Sequence, residues 1–128
     1  MGRLRRDLGD REQMTRIDRL KQRNARALAR LGNDRALAFF RAARANSKCL
    51  AVTLLNEHLD EGDTLEQILV ETAETSCFNL DVNGRGNRFH IDFGCSPAPL
   101  VGDGGEWDVT FDKANRVIAC RSGGFWIS

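Results

Sequence analysis

Two histidines are the side chains of this chain of 128 residues whose ordinary pKa lies nearest neutrality, and one of them stands in a setting suited to chemistry. In the run Arg88 to Phe93, polar and apolar residues alternate, so Arg88, His90 and Asp92 project from one face of a strand. A His beside an Asp is the least that general acid–base catalysis requires, and Cys95, in the segment that follows, would supply a nucleophile. Asp81 and Asp108 are expected to join that face from neighbouring strands. A solvated strand face carries the same residues for cross-strand charge pairing. His90, Asp92 and Cys95 are therefore the candidate catalytic residues of an alternative reading, a small enzyme, and not of the preferred one.

Other chemistry-bearing residues lack the spacing their chemistry needs. His58 lies between Glu57 and Leu59 in a helical pattern with no second histidine at i+4, so no metal site is expected there. The four cysteines, at positions 49, 77, 95 and 120, show none of the close pairing of a zinc site and are expected to be buried thiols of a reducing compartment. Gly102-Asp103-Gly104-Gly105 and Asn83-Gly84-Arg85-Gly86 resemble phosphate loops in composition. Each leads into a strand instead of a helix N-terminus, so both read as turns. No cofactor or metal is expected.

The charge is unusual in its placement. The net charge is +1, but residues 1–48 hold 14 Lys+Arg against 5 Asp+Glu, and residues 49–128 hold 5 against 13, which gives +9 and −8. Arg3, Arg5 and Arg6 fall in residues 1–9, which show no apolar period, end at Gly9 and are expected to form a flexible basic arm. Arg16, Arg19, Arg23, Arg26 and Arg30 fall on a helix opened by Asp10 and Gln13 in capping-box spacing and closed by Gly32. Its apolar positions are Met14, Ile17, Leu20, Leu28 and Leu31. Ile17, Asn24 and Leu31, with Leu20 and Ala27, also form a short heptad seam that would suit a homodimer, although packing on the chain's own domain explains the same residues.

The elements that must position these groups follow from periodicity. A helical pattern runs from Arg35 to Leu59, one helix or two depending on whether Asn46 and Ser47 divide it; Gly62 ends it, and Asp63 with Glu66 caps a short last helix through Leu65, Ile68, Leu69 and Ala73. After Ser76 the period becomes two. Phe78 to Val82 and Phe89 to Phe93 form one hairpin, Trp107 to Phe111 and Val117 to Arg121 another, and Gly123-Gly124 turns the chain into a last short strand, Phe125 to Ile127. The expected fold is α+β. Three or four N-terminal helices pack on one face of a four- to five-stranded antiparallel β-meander in a single domain, 10–128, helical over 10–75 and β over 76–128.

Between the hairpins, residues 94–105 read as a structureless Gly- and Pro-rich connection. Leu100 and Val101 within it are candidates for a partner contact, together with the arginines of the arm and first helix. The longest apolar stretch, Cys49 to Leu55, is far short of a membrane span, and the basic N-terminus lacks an apolar core to follow it, so a cytosolic chain is expected. The preferred reading is a small non-enzymatic interaction protein, a stoichiometric regulator or inhibitor of the immunity or anti-defence type, binding a protein partner through segregated charges. A nucleic-acid-associated protein using the basic arm and first helix is the second reading. A homodimer through the first helix or the C-terminal strand is compatible with either.

Overall fold

The core is aromatic. Phe39 and Phe40, adjacent on a helix, drive their rings onto the sheet: Phe39 meets Trp107 edge-on at 5.4 Å, Phe40 meets Phe93 edge-on at 4.8 Å, and Phe93 stacks on Phe78 at 5.4 Å. Such pairs add about 0.5–1.5 kcal/mol each beyond the area they bury. In this computed structural model the backbone is described for residues 2–46, 48–72, 78–98 and 101–127, and side chains for those of them outside 2–15, 46, 97, 98 and 101.

Four helical segments precede four strands: α1 (Gly2–Leu31), α2 (Asn33–Asn46), α3 (Leu50–Asp60) and a short π-wound α4 (Gln67–Glu71), then β1 (Phe78–Arg85), β2 (Arg88–Ala98), β3 (Val101–Phe111) and β4 (Val117–Ile127). The strands pair antiparallel in the order β1-β2-β3-β4. The fold is the expected α+β arrangement. Phe78, Leu80 and Val82, Phe89, Ile91 and Phe93, and Trp107, Val109 and Phe111 alternate onto the buried face, where α2 and α3 cover them. Asn79, Asp81, His90, Asp92, Glu106 and Asp108 stand on the opposite, open face.

Several boundaries differ from expectation. Helix α1 begins at Gly2, so residues 2–9 continue the helix where an arm was expected, and Asp10 lies inside it; an interior glycine such as Gly9 costs a helix only about 1 kcal/mol, too little to stop one. The pattern from Arg35 to Leu59 is two helices, α2 ending at Asn46 and α3 beginning at Leu50; Ser47 lies outside the described residues. The capping box of α4 is Thr64 with Gln67, one residue beyond the expected Asp63 and Glu66: the Thr64 N–H donates to Gln67 Oε1 at 2.8 Å and the Gln67 N–H to Thr64 Oγ1 at 3.1 Å. Ala73 lies outside the described residues.

The largest correction concerns 94–105. Apart from residues 99 and 100, which lie outside the description, this stretch is strand: Gly94 pairs with Gly104 and Cys95 with Asp103. Its glycines make room for an indole. A Cβ on Gly104 would stand 2.5 Å from Trp126, and one on Gly94 2.6 Å from it, so the two glycines form a seat across two strands for a side chain on a third. β4 is likewise continuous, Gly123 serving as a bulge opposite Glu106/Trp107 instead of opening a fifth strand.

The two edges of the sheet are treated differently. The β1 edge is closed by Asn24 of α1, a fully buried side chain whose Nδ2 donates to Phe78 O at 2.9 Å and Leu69 O at 2.7 Å, and whose Oδ1 accepts from Leu80 N at 2.9 Å. The amide thus stands where the next strand's peptide group would. Asn24, Ala27, Leu28 and Leu31 are buried within the chain, so the heptad seam is not open to a second helix over these positions. The β4 edge carries exposed Ile118, Phe125, Trp126 and Ile127.

Candidate functional site

The arginines of α1 form one line. Arg16, Arg19, Arg23, Arg26 and Arg30 recur at intervals of three and four, which keeps them on one side of a helix over about 21 Å of its length. The parallel series Ile17, Leu20, Asn24, Ala27 and Leu31 turns toward the domain and fixes the helix's rotation, leaving all five arginines exposed.

Four of the other arginines are held within the fold, while Arg85, Arg88 and Arg121 are exposed and, like these five, form no ion pair among the described residues. Arg41 and Arg44 of α2 share Asp60 of α3 at 2.9 and 3.0 Å, and together they hold its carboxyl below the usual carboxylate range. Arg116 binds Asp112 at 2.9 Å across the β3–β4 turn; the backbone N–H of Arg116 is the main cause that lowers the Asp112 carboxyl, and the Arg116 guanidinium and the Ala114 N–H add to it. Arg35 lies over the Phe111 ring, 5.1 Å from its centroid, and donates to Asn115 Oδ1, Gly86 O and Asn87 Oδ1 at 2.8–2.9 Å. Among the described residues no ion pair forms to Arg16, Arg19, Arg23, Arg26 or Arg30. Arg23 reaches the neutral Asn79 at 3.5 Å. A shallow cleft sets Arg23, Arg26 and Arg30 beside Asp81 of β1, and there the basic and acidic surfaces meet.

On the open sheet face the structure brings His90 and Asp92 together with Asp108, which was expected there from the neighbouring strand, and with Glu106, which was not. His90 Nδ1 is 2.9 Å from Asp108 Oδ1; Nε2 is 3.4 Å from Glu106 Oε2 and 3.6 Å from Asp92 Oδ2. The hydrogen bond that His90 donates to Asp108 raises the His90 pKa above its ordinary value, burial opposes the shift, and the charges of Asp92, Asp108 and Glu106 add to it. Burial raises Asp92, with the neighbouring acids adding to it. Glu106 escaped sequence reasoning, although Trp107 to Phe111 alternate and Glu106 continues that alternation by one step onto the outer face.

Cys95 is not brought to this group. It pairs with Phe78 and Asp103 and is buried on the helix side, because the step from 92 to 95 is odd and a strand's faces alternate. The nucleophile arrangement drawn from His90, Asp92 and Cys95 is therefore not assembled. The depression beside His90, lined by Arg88, Phe89, Asp108 and Thr110 among others, is shallow and open.

The remaining candidates are partly outside view. Side chains of Arg3, Arg5, Arg6 and Val101 are outside those described, as is the whole of Leu100; the backbone of Val101 pairs with Ala98 at the start of β3. Cys49, Cys95 and Cys120 form no disulfide among the described residues, and burial pushes the Cys49 and Cys120 thiols up. No helix is long and apolar enough to cross a membrane among the described residues. A second group, His58 with Glu61 and Asp63, clusters near the C-terminus of α3, His58 Nδ1 being 3.4 Å from Asp63 Oδ2. No protein-family model, curated protein or solved structure matches the chain.

Proposed function

We infer that this chain is a small non-enzymatic interaction protein that docks an acidic surface of a protein partner along the arginine line of α1. One observation carries the reading: five exposed arginines in line on one side of a helix, without an ion pair among the described residues, in a chain that pairs Arg41, Arg44 and Arg116 internally. Exposed like charges on one face repel each other, and an anionic partner removes that cost while steering association. A protein is favoured over nucleic acid because Asp81 and Asp92 border the same side of the molecule. A long phosphate backbone following the line would run against these acids; a compact acidic patch ends before them. Occupancy of a partner without chemistry is the mode of a stoichiometric regulator or inhibitor, and an immunity or anti-defence role is the form proposed.

The test is recovery of a near one-to-one complex from extract of the native host, run with and without nuclease, for the unaltered chain and for Arg19→Glu/Arg26→Glu. The reading expects a nuclease-resistant complex that the double variant loses. A complex lost on nuclease treatment, with salt-sensitive retention of the purified chain on duplex DNA, would put nucleic acid in the partner's place. A second reading rests on the open β4 edge with its exposed Ile118 and Phe125: two copies pairing edge to edge. Sedimentation should then show a concentration-dependent dimer that Ile118→Lys abolishes, and a monomer at all concentrations would sink it.

A further inference from the structure

The open sheet face holds a set of ligand atoms that neither the arginine line nor the core uses. Nε2 of His90, Oδ2 of Asp92 and Oε2 of Glu106 belong to a group whose ligand atoms all lie within 4.8 Å of one another. Nε2 is 3.4 and 3.6 Å from the two carboxylate oxygens, beyond the 2.7–3.2 Å of an N–H···O hydrogen bond. Those two separations match the edge length of a coordination tetrahedron. Ligands about 2.0–2.2 Å from a zinc ion and at the tetrahedral angle stand about 3.3–3.6 Å from each other.

The imidazole is aimed. A carboxylate can only accept, so at 2.9 Å Nδ1 carries the hydrogen and donates to Asp108 Oδ1; in the neutral ring, the form that binds a metal, the Nε2 lone pair is then turned toward Asp92 and Glu106. A carboxylate holding the far nitrogen of a metal-binding histidine is the usual support of such a ligand. The backbone holds the set in place, since His90 opposes Asp108 and Asp92 opposes Glu106 on adjacent rungs of the β2–β3 ladder. Glu106 has room because its neighbour at the β4 bulge is Gly123, where a Cβ would stand 3.1 Å from Oε1.

A separate feature of the sheet asks for a cation. Asp81 pairs with Asp92, and Asp92 with Glu106, so three acids lie in a row across three strands. Like charges directly opposite each other destabilise a sheet. Among the described residues no lysine or arginine forms an ion pair with any of the three. Of the described residues His90 alone pairs ionically with Asp92 and Glu106, while Arg23, Arg26 and Arg30 stand beside Asp81 without pairing with it, so the Asp92–Glu106 end of the row is left to a single imidazole.

We propose that His90, Asp92 and Glu106 bind a divalent first-row transition ion of the zinc class, with Asp108 as the positioning residue and water completing the shell. One nitrogen and two carboxylate oxygens suit such an ion better than calcium, which takes six to eight oxygens. The three side chains are between a third and a half exposed, so an ion enters from solvent without rearrangement.

The experiment titrates the full untagged chain with Zn²⁺ by calorimetry and with Co²⁺ by visible absorption. One equivalent is expected at this site, lost in His90→Ala and in Glu106→Gln, and weakened about tenfold to hundredfold in Asp108→Asn. His58→Ala, which removes the second cluster, leaves it intact. All these side chains lie outside the core, and circular dichroism melts verify folding of each variant; should His90→Ala fold poorly, the near-isosteric Glu106→Gln decides. A chain that takes up neither ion, or one that binds equally well in both ligand variants, overturns the proposal. The outcome is independent of the arginine line, which these variants leave untouched.

Discussion

Asn24 and Arg35 show how much of this fold hangs on single polar side chains. Asn24 makes three hydrogen bonds to backbone groups of α4 and β1 while fully buried. Asn24→Ala strands Leu69 O, Phe78 O and Leu80 N, and since each unpaired buried group costs about 1–3 kcal/mol, the expected loss is about 3 kcal/mol or more by urea denaturation. Asn24→Asp should fare no better, because a carboxylate cannot donate to two carbonyls. Arg35 binds both hairpin turns at once, so Arg35→Lys, which keeps the charge and loses the fork, should cost about 1–2 kcal/mol. If Arg35→Lys proves neutral, charge alone suffices at that position. Sequence periodicity placed Asn24 on the inner side of α1, but one chain's pattern offers no way to tell a partner helix from a strand edge. Arg35 was indistinguishable from other arginines because its partners lie about 50 to 80 residues away.

At the scale of elements, the alternating strands were legible because their residues report local burial, and the places that misled are those where a glycine answers to a distant side chain. Gly94 and Gly104 read as loop residues; the reason for them is Trp126, on a different strand. Gly104→Ala should lift the indole from its seat, raising acrylamide quenching of Trp126 in a Trp107→Phe background and costing about 1 kcal/mol. Unchanged quenching would mean the ring does not occupy the seat. Helix α3 shows the same long reach: its N-cap residue, Cys49, makes no side-chain cap, and Asp103 of β3 accepts from the N–H groups of Leu50 at 2.6 Å and Ala51 at 2.9 Å instead. Asp103→Ala should cost about 0.5–2 kcal/mol, as loss of a cap does. Burial is the main cause of the raised Cys49 thiol and the Asp103 carboxylate adds to it, so the same variant should alkylate faster at Cys49. A variant as stable and as slow to alkylate as the parent would remove Asp103 from both roles.

For the molecule as a whole, the separation of charge seen in composition becomes a separation of surfaces. Positive charge lies along α1 at one edge of the sheet, and negative charge lies partly on the face turned away from α2 and α3, with Asp81, Asp92, Glu106 and Asp108, and partly on α3, α4 and the turn between them. Composition foretold the two signs but not the geometry, because whether Arg26 or Arg30 meets Asp81 depends on the rotation of α1, which Asn24 and Leu28 set by burial. The consequence is measurable without knowing any partner. A chain of net charge +1 with its charges evenly mixed would pass through both cation and anion exchangers near neutral pH. With the signs on separate surfaces, each resin meets a coherent patch, so the purified chain should be retained on both at low salt and released from both by modest salt as screening shortens the reach of each patch. Arg19→Glu/Arg26→Glu lowers the net charge by four and should abolish retention on the cation exchanger while strengthening it on the other. Retention on neither resin would mean that the surfaces neutralise each other in solution, and the arginine line would then lose its claim to a partner.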